Sequence, residues 1–176
     1  MNTATQDGDS DTLAQGDAHL LQTPTARDLL GRAIPARLAY ISMDGLPRIV
    51  PTWFHWNGEQ IVMATWVSGP HVRHPARRLA ALAAHPDVMI SIDTDEQPPT
   101  VLQLRGRADV EIVDGIVAEY RVAAAHYLGA DAAAAYLGPL EVVEVSMARI
   151  SVRPDWVGLL DFQTRLPGPL GGQVRG

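Results

Sequence analysis

Residues 69–88, GPHVRHPARRLAALAAHPDV, crowd Arg73, Arg77 and Arg78 around the start of an alanine-rich segment. Pro75 fits the first position of a helix, where its missing N–H leaves nothing unsatisfied. Leu79, Leu82 and Ala83 then share one face at helical spacing. A helix start is the positive end of the backbone dipole and favours acidic neighbours, yet this first turn carries arginines and no carboxylate. Free N–H groups plus clustered guanidinium forks make an anion pocket, and arginine suits the planar, multi-donor grip that phosphate rewards. The competing reading is that these arginines are surface side chains paired with Asp or Glu elsewhere. His71 and His74 form an H-x-x-H, but Pro75 follows at once and no third ligand stands at useful spacing, so metal is not expected.

Other residues around this stretch add to a site. Thr65 and Trp66 end an apolar run just before the Arg-rich loop, placing a hydroxyl and an aromatic face near the expected anion. Pro51, inside RIVPTWF, removes a ladder donor, which belongs at an edge or a break in strand pairing. His55, between Phe54 and Trp56, reads as an ordinary strand histidine. No Ser-His-Asp set and no close carboxylate pair calls for hydrolysis. A chain without its own reactive constellation borrows one from a cofactor.

The elements that must position these residues are mainly strands. TPTARDLLGRA reads as a short opening helix. RLAYISM, LPRIVPTWFHW and EQIVMATW read as three strands, joined by turns at Asp44-Gly45 and Asn57-Gly58. Such Asp-Gly and Asn-Gly pairs suit hairpin turns because both positions need positive φ. After the Arg-rich helix, DVMISID and TVLQLRGRADVEIV are two more strands. GIVAEYRVAAAHYLG and DAAAAYL are helices, with Gly129 as a C-cap, and EVVEVSMARISV is the last strand. Six antiparallel strands with a helix across an opening predict a mainly β, closed or split barrel.

Composition sets the frame. The chain has 176 residues, net charge −6, no cysteine, and 14 basic residues that are all arginine. The length predicts one domain. Net acidity without a basic stripe argues against nucleic-acid binding. The absence of cysteine excludes disulfides and fits a reducing cytoplasm. No apolar run reaches membrane-spanning length, and the first residues lack signal-peptide order. Residues 1–22, with Asp7, Asp9, Asp11 and Asp17 and no basic group, are expected to be a disordered acidic leader with no apolar face to bury. The folded domain is expected over 23–166, with a flexible Pro/Gly tail over 167–176.

Four landmarks together resemble the pyridoxamine 5'-phosphate oxidase-like, FMN-binding split-barrel family: RLAYISMDGLPRIVPTWFHWNGEQIVMAT, RRLAALAAHPDVMISID, VLQLRGRADVE and RISVRPDWVGLLDF. The resemblance runs from about Ala33 to Pro167. It implies a six-stranded split barrel that dimerises, with flavin at the subunit interface and the expected anion a flavin phosphate. It places Arg48, Val50, Pro51, Thr52 and Trp53 along the flavin ring, and Ala64 and Thr65, followed by Trp66, near the phosphate. Arg78, four residues before Leu82, matches the family's basic residue. The loop before it is longer than usual, and another alignment through PHVRHP gives the role to His71 or Arg73. Gln103 faces the side from which a family glutamine approaches flavin, two residues out of step. Trp156 is present, but the histidine-containing segment that holds a vitamin B6 phosphate is not, which argues against that substrate. The resemblance thus implies an FMN-dependent oxidoreductase first. A deazaflavin-dependent reductase is second, with its acidic tail on Arg73, Arg77 and Arg78. A non-catalytic flavin- or haem-binding module is third.

Overall fold

The structure is a computed structural model and describes residues 13–74 and 76–162. The chain turns back at both expected places, but only the glycines are at positive φ, Gly45 at 77° and Gly58 at 100°. Asp44 and Asn57 are not, so the expected positive φ at both turn positions is absent. The two turns join β1 (Ala36–Ile41) to β2 (Pro47–Thr52), and β3 (Phe54–Trp56) to β4 (Ile61–Ser68). α1 (Pro24–Gly31) precedes them, its first turn capped by the Thr23 hydroxyl. α2 (Arg77–Ala84) leads into β5 (Asp87–Asp93) and the long β6 (Thr100–Asp114). α3 (Ala118–Leu128) and α4 (Ala130–Glu141) follow, divided at Gly129, and β7 (Ser146–Asp161) ends the described chain.

The seven strands form one antiparallel sheet in the order β2-β1-β5-β6-β7-β4-β3. The run expected as one strand, LPRIVPTWFHW, is therefore two. It leaves β1 after Thr52 and pairs with β4 from Phe54 onward. Trp53 alone joins the two edges of the sheet. Edges tied through one residue must lie side by side, so the sheet curls into a barrel whose open seam lies between β2 and β4. That is a split barrel with seven strands in place of the expected six. The break falls two residues beyond Pro51, which still sits in the edge strand β2, opposite Arg37.

Alternation fills the barrel. Leu38, Ile90, Leu104 and Val157 form one inward row across four strands, and Ile92, Leu102 and Leu159 form the next. All are buried, and Leu20, Leu29 and Leu82 close over them. β7 carries a bulge opposite β6, so that Arg105 faces Trp156 while Gly106 faces Pro154. Asp155 is left between them.

Three expectations need correction. The last strand starts at Ser146, five residues later than EVVEV implies, and continues through RPDWVGLLD because β6 pairs with it along its whole length. The acidic leader is not free over residues 13–22. The Gly16 N–H donates to the Val157 carbonyl at 2.7 Å. The Gln15 amide donates to the Leu159 carbonyl at 2.7 Å, and its side-chain oxygen accepts from the Leu159 N–H at 2.8 Å. A 3-10 turn over Ala18–Gln22 then buries Leu20 and Leu21. These apolar groups hold the segment on the barrel despite its acidic neighbours. Lastly, α2 begins at Arg77 with Ala76 as its N-cap and no side-chain cap. Its first position thus belongs to Arg77, and Pro75 lies outside the described residues. No described helix is long and apolar enough to cross a membrane.

Candidate functional site: an aromatic cleft at the seam and an arginine cleft beside it

The arginines divide sharply by partner. Arg32, Arg37, Arg48, Arg105, Arg107, Arg121, Arg149 and Arg153 each pair with a carboxylate. Arg27 binds the side-chain oxygen of Gln22 at 2.6 Å and lines a separate cleft under α3 with His55 and His126. Among the described residues only Arg73, Arg77 and Arg78 have no ion pair or hydrogen bond. All three belong to the stretch that stood out in the sequence.

Arg77 and Arg78 form the uncapped first turn of α2, so backbone dipole and guanidinium charge have the same sign there. They face Tyr40, Ser42, Asp44 and Arg48 across a cleft of about 410 Å³. Arg48 is engaged by Asp44 at 2.8 Å. Arg78 is half-buried and its Nε is fully enclosed without an acceptor. Burial, with no paired carboxylate to offset it, lowers its pKa from the usual arginine value. A buried charge without a counter-charge is costly, and an anion in this cleft would offset the charge of the guanidinium. Arg73 lies exposed on the loop before α2.

The second cleft opens at the barrel seam. Pro51, Thr52 and Trp53 come from one sheet edge and Ala64, Thr65 and Trp66 from the other, with Pro35 and Tyr120 completing about 430 Å³. Its walls are aromatic. Trp53 stacks on Tyr127 at 5.3 Å and 7°, and on Tyr120 at 6.1 Å. Trp66 meets Tyr120 edge-on at 5.7 Å and His71 edge-on at 4.8 Å. The Trp66 Nε1–H donates to the Tyr136 hydroxyl at 3.3 Å, and the Tyr136 and Tyr120 hydroxyls are 3.2 Å apart. Burial, then the bond to Tyr136, raises the Tyr120 phenol above its ordinary range. Burial pushes Tyr127 up to about 12 against a backbone hydrogen bond from Phe54, and its hydroxyl donates to the Ile34 carbonyl at 3.0 Å.

Pro51, Thr52 and Trp53, expected along the ring, meet at the seam with Ala64, Thr65 and Trp66, which were expected near the phosphate and lie away from the arginine cleft. His71 joins them through Trp66. Arg48, Arg77 and Arg78 gather in the other cleft. The two clefts lie toward opposite ends of β2, with Arg48 and Thr52 about 13 Å apart at strand rise. Val50 lies between them, its strand partner the core residue Leu38. Gln103 lines neither cleft and pairs with Ser91 and Gly158 in the middle of the sheet. Sequence reasoning missed Tyr120, Tyr127 and Tyr136. Tyr120 and Tyr127 are seven residues apart, two turns of α3, a spacing that already puts both on one helix face. Among the described residues no three His, Cys, Asp or Glu side chains gather as metal ligands would.

No family model matches this chain, and no curated protein matches it. Solved structures do. An F420 reductase is 25% identical, covers 75% of this chain and 94% of its own, and has a TM-score of 0.55. A protein from Clostridium acetobutylicum, related to general stress protein 26 and described as of the pyridoxinephosphate oxidase family, is 15% identical. It covers 81% of this chain and 87% of its own, with a TM-score of 0.53. A conserved hypothetical protein of Mycobacterium tuberculosis is 14% identical, covers 93% and 96%, and has a TM-score of 0.59. The chain therefore has the split-barrel fold of pyridoxamine 5'-phosphate oxidase-like proteins. Within that group its structural neighbours include F420 reductase and the general stress protein 26 type.

Proposed function

We propose that this protein is a flavin-dependent oxidoreductase built as a symmetric homodimer. In this reading the ring lies in the aromatic cleft at the seam and the phosphate is drawn to Arg78. The observation that carries it is that, among the described residues, Arg73, Arg77 and Arg78 alone of the arginines have no ion pair or hydrogen bond. The guanidinium of Arg78, which has no carboxylate partner among the described residues, fits a phosphate, and Trp53, Trp66 and Tyr120 fit the apolar faces of a flat ring. A bound flavin would supply two-electron chemistry at its ring. The chain's own residues have simpler tasks. Arg78 and Arg77 hold the anionic end, Thr52 and Thr65 offer hydroxyls at the seam, and the aromatic walls exclude water from the ring.

The test compares two ligands that differ only in the phosphate. Loss of a charge-assisted bond in Arg78→Ala is worth about 1.5–3 kcal/mol, or about ten- to a hundredfold in the FMN dissociation constant. Riboflavin affinity should change far less. A selective loss in Arg73→Ala or His71→Ala instead moves the phosphate to the loop beside Trp66. If none of the three variants separates FMN from riboflavin, the phosphate assignment fails.

A deazaflavin-dependent reductase is the second reading. It is favoured by the likeness to an F420 reductase and by three cationic side chains where one phosphate needs fewer. Protein purified yellow, with FMN released on denaturation, supports the first reading. Colourless protein that binds F420, with the affinity lost in an Arg73→Ala/Arg77→Ala double variant, supports the second.

A further inference from the structure

The hydroxyl and indole groups behind the aromatic cleft leave one proton to account for. An indole N–H can only donate, and a phenol both donates and accepts. Trp66 donates to Tyr136, and the Tyr120–Tyr136 contact uses one phenolic proton. Two phenols bring two protons, so one O–H of the pair has no acceptor among the described residues. Hydrogen bonds running in one direction polarise and strengthen one another. The favoured order is therefore Trp66 to Tyr136 to Tyr120, with the Trp66 N–H also acting on the Tyr120 oxygen, which fills the acceptor side of Tyr120 and leaves the spare proton on it. Tyr120 lines the cleft, whereas Tyr136 is 39% exposed and lies behind it.

From this geometry we infer that Tyr120 is a specificity-determining hydrogen-bond donor. It selects a planar heteroaromatic ring bearing a carbonyl or imine acceptor on the edge that meets α3. The inference rests on the flavin reading and adds what that reading lacks, a polar group that distinguishes such a ring from an apolar one of the same shape. The raised pKa of Tyr120 keeps the phenol neutral, and hence a donor, throughout the ordinary pH range. Tyr136 acts as a positioning residue. Its hydroxyl occupies the acceptor side of Tyr120 and fixes where the remaining O–H points.

The experiment uses lumiflavin, the flavin ring with a methyl group in place of the phosphorylated chain, titrated into the full-length protein by fluorescence. Tyr120→Phe keeps the aromatic wall and removes only the hydroxyl. It should weaken lumiflavin binding about five- to tenfold. Tyr136→Phe should weaken it about two- to threefold, and the double variant should be no worse than Tyr120→Phe, because the two hydroxyls act in series. Unchanged affinity in Tyr120→Phe overturns the inference and assigns the spare proton to Tyr136 and solvent. Additive losses also overturn it, since they mean independent contacts. If Tyr120→Phe does not fold, Tyr136→Phe alone decides, with unchanged affinity again fatal. Wild-type protein that binds neither lumiflavin nor FMN defeats the flavin reading itself, a different failure.

Discussion

Glu119 stands in the first turn of α3, where a negative charge suits the helix dipole, and it is held by Arg149 of β7. The Arg149 Nε and Nη2 donate to one carboxylate oxygen at 2.9 and 2.7 Å, and about a fifth of each side chain is exposed. This bond is the main reason the Glu119 pKa falls below its ordinary 4.5. A carboxylate whose folded pKa is depressed adds stability above its unfolded pKa, and that stability disappears as pH drops through the folded value. Glu119→Gln should therefore destabilise the protein at pH 7 by about 1.5 kcal/mol in urea melts. The gap should close as pH falls through the depressed folded pKa of Glu119, below its ordinary 4.5, where the wild-type side chain becomes protonated too. A gap of the same size on both sides of that pKa would mean that shape, not charge, is responsible. Gly106 is constrained by contact instead. A Cβ there would lie 2.5 Å from the Arg153 carbonyl and 2.9 Å from Val152 Cγ1, at the bulge opposite Pro154. Backbone cannot yield as a side chain can, so Gly106→Ala should cost about 1–3 kcal/mol in the same assay.

At the scale of elements, the segment before α1 closes one end of the barrel through Leu20, which is fully buried against the core. Leu20→Ala should lower stability by about 2–4 kcal/mol, measurable as a drop in melting temperature. An unchanged melt would mean that this turn is a passive cover. Asp-rich composition hid that role, because the three leucines in LAQGDAHLLQ carry no period to read. Both hairpins were legible, since their turn residues act locally. The break at Trp53 was not. Pro51 pointed to an edge or a break, but which sheet edge each half of PRIVPTWFHW joins depends on partners far away in the chain. EVVEV misled for a related reason. Its propensity favours a strand, but α4 runs to Glu141, and Val142, 85% exposed, follows outside any sheet. The site was legible where charge clusters in sequence, as at Arg77 and Arg78. It was illegible where α3 brings Tyr120 and Tyr127 against Trp53 across more than 60 residues.

For the whole molecule, the outer face of the barrel bears on whether one chain is enough. Ile49, Ala39, Met89 and Arg105 form a row across β2, β1, β5 and β6 on that face, and Gln103 lies two residues from Arg105 on the same side. Ile49 is 65% exposed, and the β1–β2 hairpin adds exposed Ile41, Met43 and Leu46. Scattered apolar residues mean little, but several on one hairpin and its adjoining face mark an interaction surface. A two-fold contact through this patch would bury it on both copies at once. It would also bring a second chain to the face that carries Gln103, which one chain leaves away from both clefts. Wild-type protein at micromolar concentration should therefore sediment at twice the 19.0 kDa chain mass. Ile49→Asp places a charge at the centre of the patch and should yield monomers with an unchanged far-ultraviolet spectrum. If the flavin site needs both copies, the same variant should also lose FMN affinity while Arg78 remains intact. Wild-type protein that sediments as a monomer, with and without FMN, rules out the dimer and leaves Gln103 outside the site.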